Sequence, residues 1–516
     1  MRGRRLVLTL IAMLVAAAGH ATDDKQLAKL LKQLTDKKDD KRIEASNQLV
    51  DLKLAAAVPA LTAALRDPVP EVRYNAALAL WKLEEAARPA VPELIKRLDD
   101  PDTDVRVQAA GALRILDEAT PLWVAALTKV LHTGTPEARK QAQEILKSAG
   151  HGGIQAAASE GRADLVAGLL DGGIEVDAVD KSQRTALHWA AAEGKADVAR
   201  LLLERGAAPA AADKDQRQPL HLAALGGSTD VAKLLLDKQA DPNATDEKRQ
   251  TPLHFAAGKG PAALVELLLA RGANPRAKGS REENPLHLAA LQGQTATVQL
   301  LLGKGVDMNS PDDHGCGPIF YAATGGHTEL VKLFLDKKAA IHAVGLMSEM
   351  SGTPLHAAAR EGHVATMELL IARGVPLAAS QFGKTALHVA AGAGQLEAMK
   401  LLLAKGMKVD TTVPQMTSGT PLFEAVSEGQ LAAVQFLIEK GANVNAKELG
   451  QGRTPLHEAM KRGDLREARK DIVLLLLDKK ADLNAKDTSG KTPLALALEN
   501  RNEDAAALLR AHGATQ

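Results

Sequence analysis

Aromatic residues make up only 2% of this chain, cysteine occurs once, and neither sign of charge prevails. Each shortage excludes something. A single thiol, Cys316, cannot close an intrachain disulfide. Lys plus Arg total 64 against 63 for Asp plus Glu, and a net charge of +1 supplies no overall field to draw in DNA or an anionic membrane. Hydrophobic residues reach 46% with so few rings among them that alanine and leucine must build the core, which suits closely packed helices. No glycine-rich phosphate loop follows a strand, and no zinc-ligand spacing occurs, so nothing points to a bound nucleotide, metal or other cofactor. At 516 residues the chain is too long for one compact core.

What is present is repetition. Thr185-Ala-Leu-His-Trp-Ala-Ala returns as Gln218-Pro-Leu-His-Leu-Ala-Ala, Thr251-Pro-Leu-His-Phe-Ala-Ala, Asn284-Pro-Leu-His-Leu-Ala-Ala and Gly317-Pro-Ile-Phe-Tyr-Ala-Ala, each 33 residues after the last. Looser copies begin at Thr353, Thr385, Thr420, Thr454 and Thr492. Threonine suits the cap of a first helix, and proline suits its first position because the N–H it lacks would have no partner there. A glycine follows at the turn (Gly194, Gly227, Gly260, Gly293), then an apolar triplet such as Leu201-Leu202-Leu203, then a closing Gly206, Gly272 or Gly441 fit for a left-handed C-terminal cap. A fixed step of this size marks an array in which each unit contacts only its neighbours.

The motif closely resembles the ankyrin repeat. That resemblance implies paired helices joined by β-hairpin fingers, with partners bound by the fingertips and the concave helix face. Counting back from Thr185 places a degenerate first unit at Gly152-Gly153-Ile154-Gln155, and the last unit carries Ala495 in place of histidine. The ankyrin domain is therefore set at 152–516, about eleven repeats whose first and last are caps.

Residues 23–150 carry a different period. Ala57-Val58-Pro59, Asp67-Pro68, Val72-Arg73 and Ala76–Leu80 recur as Ala90-Val91-Pro92, Asp100-Pro101, Val105-Arg106 and Ala109–Leu113, with Arg139 a further 33 residues on. These units resemble HEAT repeats, about four helical hairpins in all, whose arginine is expected to bond along the stack to a neighbouring turn. Such hairpins also resemble those of phycobilisome lyases, though only at the level of the repeat, and no residue here points to a chromophore site. The expected fold class is an all-α solenoid, HEAT-like hairpins followed by stacked ankyrin repeats with short β-hairpin fingers.

Residues 1–21 read as an export signal. Arg2, Arg4 and Arg5 precede the almost wholly apolar run Leu6–Ala18, and Gly19-His20-Ala21 supplies small residues for cleavage. Thirteen residues are too few to span a membrane. Arg4-Arg5-Leu6 also resembles a twin-arginine signal, which leaves the route open. The mature protein is expected in the periplasm or the medium, as a monomer.

Seven of the fifteen histidines (His188, His221, His254, His287, His356, His388, His457) share one motif position. Stacked helices lie about 8–10 Å apart, whereas zinc holds nitrogen at roughly 2 Å. The motif histidines are therefore expected to bond backbone, not metal. Cys316 falls at a finger-to-helix junction, as a small buried residue or a reactive thiol.

The remaining expectation is a non-enzymatic scaffold that holds a protein partner; a secreted effector acting on another cell and an enzyme with a composite site are the alternatives. Phase assigns Lys181, Arg184, Lys214, Arg217, Lys248 and Arg281 to the fingers, and Leu225, Lys259 and Leu291 to the concave ends of first helices. The cationic row predicts an acidic partner, with Leu225 and Leu291 as apolar anchors. Three segments break the step, Val344–Ser351, Thr411–Gly419 and Leu465–Arg469, the first two bringing methionines to lengthened fingers.

Overall fold

The computed structural model describes residues 23–52, 54–116, 120–148, 152–340, 352–378, 380–381, 383–413, 419–460 and 467–515. The expected export signal lies outside these residues. So do Val344–Ser351, most of Thr411–Gly419 and the start of Leu465–Arg469. The architecture is an all-α solenoid of stacked helical repeats. Contacts divide it into two compact units, Met1–Asp241 and Pro242–Gln516. Among the described residues no helix is long and apolar enough to cross a membrane.

The first unit opens with four helical hairpins: α1 (Asp23–Gln33) with α2 (Asp39–Leu52), α3 (Val58–Ala64) with α4 (Pro70–Lys82), α5 (Val91–Arg97) with α6 (Thr103–Ile115), and α7 (Thr120–Thr133) with α8 (Pro136–Ser148). Short side chains let the second helices stack directly, α2 on α4 and α4 on α6, burying Ala45, Ala76, Ala77, Ala109 and Ala110. Arginine ties one hairpin to the next. The Nε and Nη2 of Arg42 donate to Asp67 at 2.8 and 3.1 Å. Arg73 repeats this on Asp100 at 2.9 and 2.7 Å, and its Nη1 donates to the carbonyls of Asp67 and Pro68 at 2.9 and 3.1 Å. One guanidinium thus closes its own Asp-Pro turn and holds the next. The ladder stops at Arg106, because Thr133 stands where the next aspartate would be. Arg106 still donates to the carbonyls of Asp100 and Pro101, and its Nη2 donates to the hydroxyl oxygen of Thr103.

The joint to the second array is tight. Helix α9 (Gly152–Glu160) and helix α10 (Ala163–Asp171) form the degenerate unit, and α10 packs against α7. Trp123, Val124 and Leu127 are buried on one side of the joint, and Ile154, Leu165 and Leu169 on the other. Gly168 permits this approach: a Cβ there would lie 2.0 Å from Thr128 Oγ1. Gln155, at the motif-histidine position, donates to the Ala178 carbonyl at 2.7 Å.

The regular repeats follow. In the first unit the pairs are Ala186–Ala192 with Ala196–Glu204 and Pro219–Leu225 with Thr229–Asp237. In the second they run from Pro252–Lys259 with Ala262–Ala270 to Pro493–Glu499 with Glu503–Ala511. The motif Leu and Ala-Ala are fully buried in repeat after repeat, as at Leu187, Ala190 and Ala191 or Leu253, Ala256 and Ala257. Closing glycines Gly206, Gly272 and Gly441 adopt φ of 88°, 90° and 88°, as left-handed caps require. Gly260 departs from the turn pattern with φ −80° and ψ 162°. Pro261 follows it, and a residue before proline is pushed into extended backbone.

The fingers differ from expectation. Among the described residues one finger alone forms a ladder, Ser380–Gln381 against Lys384–Thr385. The fingers at Asp180, Asp213, Asp246, Asp312 and Asp487 span the same number of residues, but there a carboxylate takes N–H groups of the turn where the laddered finger has Ser380.

Candidate functional site

The fingers at 180, 213, 246, 312 and 487 are five-residue turns built on an aspartate. In the first, Asp180 N–H donates to the Arg184 carbonyl at 3.0 Å, while Asp180 Oδ1 accepts from the N–H groups of Ser182 and Arg184 at 2.7 and 3.0 Å. Its Oδ2 takes the Trp189 indole N–H at 2.9 Å. Burial alone would raise the Asp180 pKa; these donors outweigh it and hold the group below its ordinary value. In the second finger Asp213, 2% exposed, accepts from the N–H groups of Asp215 and Arg217 at 2.9 Å each. Asp246, Asp312 and Asp487 fill the same role in the second unit.

Where Gly279 replaces that aspartate, Glu283 supplies the carboxylate from the far side of the turn, accepting from Arg281 N–H at 2.9 Å. A Cβ on Gly279 would meet Glu283 Oε1 at 2.5 Å, so the glycine makes room for the substitute. The recurrence of an acid at 180, 213, 246 and 312 was visible in the sequence as a signal of this role.

The turns force the fourth residue left-handed. Gln183, Gln216, Arg249 and Glu282 have φ of 60°, 61°, 58° and 59°. Neighbouring fingers then share a single backbone bond. Lys214 N–H donates to the Ser182 carbonyl in the first unit; Ser280 N–H donates to Lys248 and Asp313 N–H to Arg281 in the second.

The residues expected to bind a partner separate into two kinds. In the first unit Arg184 Nε pairs with Asp213 Oδ2 at 3.1 Å, and its guanidinium lies 5.5 Å from the Trp189 ring centroid. Arg217 Nη1 pairs with Asp215 at 3.1 Å. These two arginines brace the fingers. Lys181 and Lys214 are exposed and make no salt bridge with any described residue, and Leu225 is 38% exposed. In the second unit Lys248, Lys259 and Arg281 are exposed, likewise with no salt bridge to a described residue. Leu291 is half-buried, and its carbonyl lies 2.9 Å from His327 Nε2.

Six of the motif histidines are held at both ring nitrogens. Thr185 N–H donates to His188 Nδ1 at 3.1 Å, and His188 Nε2 donates to the Arg217 carbonyl in the next finger at 3.0 Å. His254, His287, His356, His388 and His457 repeat the arrangement on Glu283, Cys316, Lys384, Gly419 and Lys491. The backbone N–H can only donate, so Nδ1 is the acceptor and Nε2 carries the proton. Burial lowers the pKa of His188, His254, His287, His388 and His457, and it holds His388 down at about 4. Cys316 is 2% exposed, and burial with nearby Asp312 pushes its thiol up to about 12. A buried thiol so weakly acidic is a packing residue.

A sequence model of ankyrin repeats in three copies matches residues 154–246, 220–312, 286–379, 376–448 and 422–516, well over half of the chain. The chain belongs to the ankyrin-repeat family. A model of HEAT repeats matches residues 27–114. That match ends before α7 and α8, the hairpin whose ladder aspartate is Thr133. No curated protein matches the chain. Ankyrin and HEAT repeats are typically non-catalytic binding scaffolds, and ankyrin repeats imply protein partners.

Proposed function

We propose that this ankyrin-repeat protein is an exported, monomeric scaffold whose fingers and concave face hold an acidic protein. One observation carries the reading. The finger acids turn inward as caps, so Lys181 and Lys214 stand unopposed at fingertips that look charge-balanced in sequence. Leu225, exposed on a first helix of the same unit, supplies an apolar anchor. Lys248, Lys259 and Arg281 offer the same chemistry in the second unit. Charges of this kind steer association more than they add affinity. The basic start, apolar run and small-residue cleavage site at residues 1–21 support export.

The test is capture of partners from periplasm and medium, followed by binding kinetics. Lys181→Glu with Lys214→Glu should slow association and flatten its salt dependence, and Leu225→Arg should weaken binding by about 1–2 kcal/mol or more. Lys233→Glu, on a second helix, is the control. A captured partner that binds all of these as tightly as the parent would overturn the reading. A reporter active only outside the cytoplasm, fused to residues 1–30, should give signal; silence with good expression would refute export.

A further inference from the structure

The HEAT-like array carries a feature that its own packing does not use. Helix α4 buries Val72, Ala76 and Leu80 in the core. It has a second apolar stripe at Tyr74, Leu78 and Trp81, spaced four and three residues apart and therefore on one face. In a chain with three tryptophans and two tyrosines, two of those five rings stand on this one helix. The stripe is half-exposed and forms one wall of a groove of about 430 Å3. The other wall is α8, through Gln141, Glu144 and Ile145. The intervening α6 is the floor. There Gly111 lets the Trp81 ring settle, since a Cβ would meet Trp81 Cε3 at 3.2 Å. Gln108 donates to Gln141 Oε1 at 3.2 Å and leaves its own Oε1 without a partner among the described residues.

The charges of the groove have one sign. Glu144 is the one ionised residue that lines it, exposed and without a salt bridge to any described residue. Lys140, one turn earlier on α8, makes no salt bridge with it. Asp104, at the start of α6, is near enough to Tyr74 to help burial raise the phenol's pKa, and it too makes no salt bridge with any described residue. Aromatic faces and an unpaired carboxylate both favour a cation with an apolar stem. The same carboxylates repel nucleic acid and anionic lipid.

We propose that the groove between α4 and α8 binds a basic segment of a protein partner, seating a lysine or arginine side chain along Tyr74, Leu78 and Trp81 with its charge at Glu144. The site is independent of the ankyrin fingers, whose expected partner is acidic, so one chain would hold two surfaces of opposite charge. The probe is a short fluorescein-labelled peptide of alternating leucine and lysine, with its leucine–glutamate counterpart, added to the full mature chain. The lysine peptide should bind and quench Trp81, and the glutamate peptide should not. Trp81→Ala and Glu144→Lys should each weaken binding about tenfold, as loss of a contact worth about 1.4 kcal/mol predicts. Glu144→Gln, an exposed and conservative change, should lower affinity at an unchanged melting temperature, which separates binding from folding. Lys181→Glu with Lys214→Glu should leave peptide affinity unchanged, so failure here is distinguishable from failure of the finger reading. Retained affinity in both Trp81→Ala and Glu144→Lys, equal binding of the glutamate peptide, no binding of the lysine peptide, or preference for anionic vesicles or a DNA oligomer would overturn the proposal.

Discussion

The two arrays solve the same problem with different chemistry. A helical hairpin cannot bury both faces alone, so each repeat must be fastened to the next. In the HEAT-like hairpins the fastener is a charged pair, Arg42 on Asp67 and Arg73 on Asp100, with the Asp100 carboxylate fully buried. In the ankyrin repeats it is a neutral imidazole between a helix cap and a carbonyl about thirty residues on. The charged fastener is strong only while both partners are present. The neutral one is weaker, repeats more often, and is exposed to acid. Periodicity thus sets where a fastener goes, and its chemistry sets how the array fails.

The largest contrast lies in removing one partner. Arg73→Ala should cost about 3–5 kcal/mol, because it leaves Asp100 buried and uncompensated. Arg106→Ala, at the end of the ladder with no carboxylate to strand, should cost much less. Urea unfolding of the two variants measures the difference; equal losses would break the distinction between a charged ladder and its terminus.

The joint between the arrays comes next. Gly168→Ala places a methyl against Thr128 and should destabilise by about 1–3 kcal/mol despite alanine's better helix propensity. Thermal unfolding that shows a neutral or stabilising change would mean that α7 and α10 are less closely fitted than described.

Acid should separate the arrays with the smallest effect per residue. Burial lowers His188, His254, His287, His388 and His457 below their ordinary 6.5, His388 to about 4. The folded ankyrin repeats therefore bind fewer protons than the unfolded chain in this window. Their stability is full above about 6.5 and is lost as pH falls from there toward 4. Asp100 behaves otherwise: burial would raise it, but Arg73 and neighbouring donors outweigh burial and hold it below 3.8, so its contribution survives until that lower range. Hydrogen exchange at pH 5 against pH 7 should show ankyrin peptides losing protection before HEAT-like ones. His388→Ala should cost about 1 kcal/mol at pH 7 and reduce the pH dependence. Simultaneous loss of protection in both arrays would erase the contrast.

Much of this was legible because the repeats keep phase. The step of 33 located the helices, the closing glycines and the histidine position, and the spacing of Arg73 and Arg106 marked the ladder. The fingers were not legible in the same way. Arg184 and Lys181 look equivalent in sequence, yet Arg184 reaches Asp213 and Lys181 makes no salt bridge with any described residue. At the first two fingers the hairpin ladders implied by the resemblance to ankyrin proteins gave way to carboxylate-capped turns, because Asp180 and Asp213 satisfy the backbone locally. The Tyr74–Trp81 stripe was written in α4 from the start, but its spacing alone could not show that the core face lies elsewhere.

The sequence by itself determined the repeat unit: its length, its two helices, the cap, the turn and the small residues at the contact. All of these depend on neighbours within a few positions, where backbone geometry and propensity act alone. Only the tertiary structure decided which charges are spent and which remain. Arg184 meets Asp213 29 residues on, and Gly168 meets Thr128 across a joint between two kinds of repeat. Such pairings depend on the distance between stacked units, and a few ångströms of rise or rotation turns a buried ion pair into two solvated side chains.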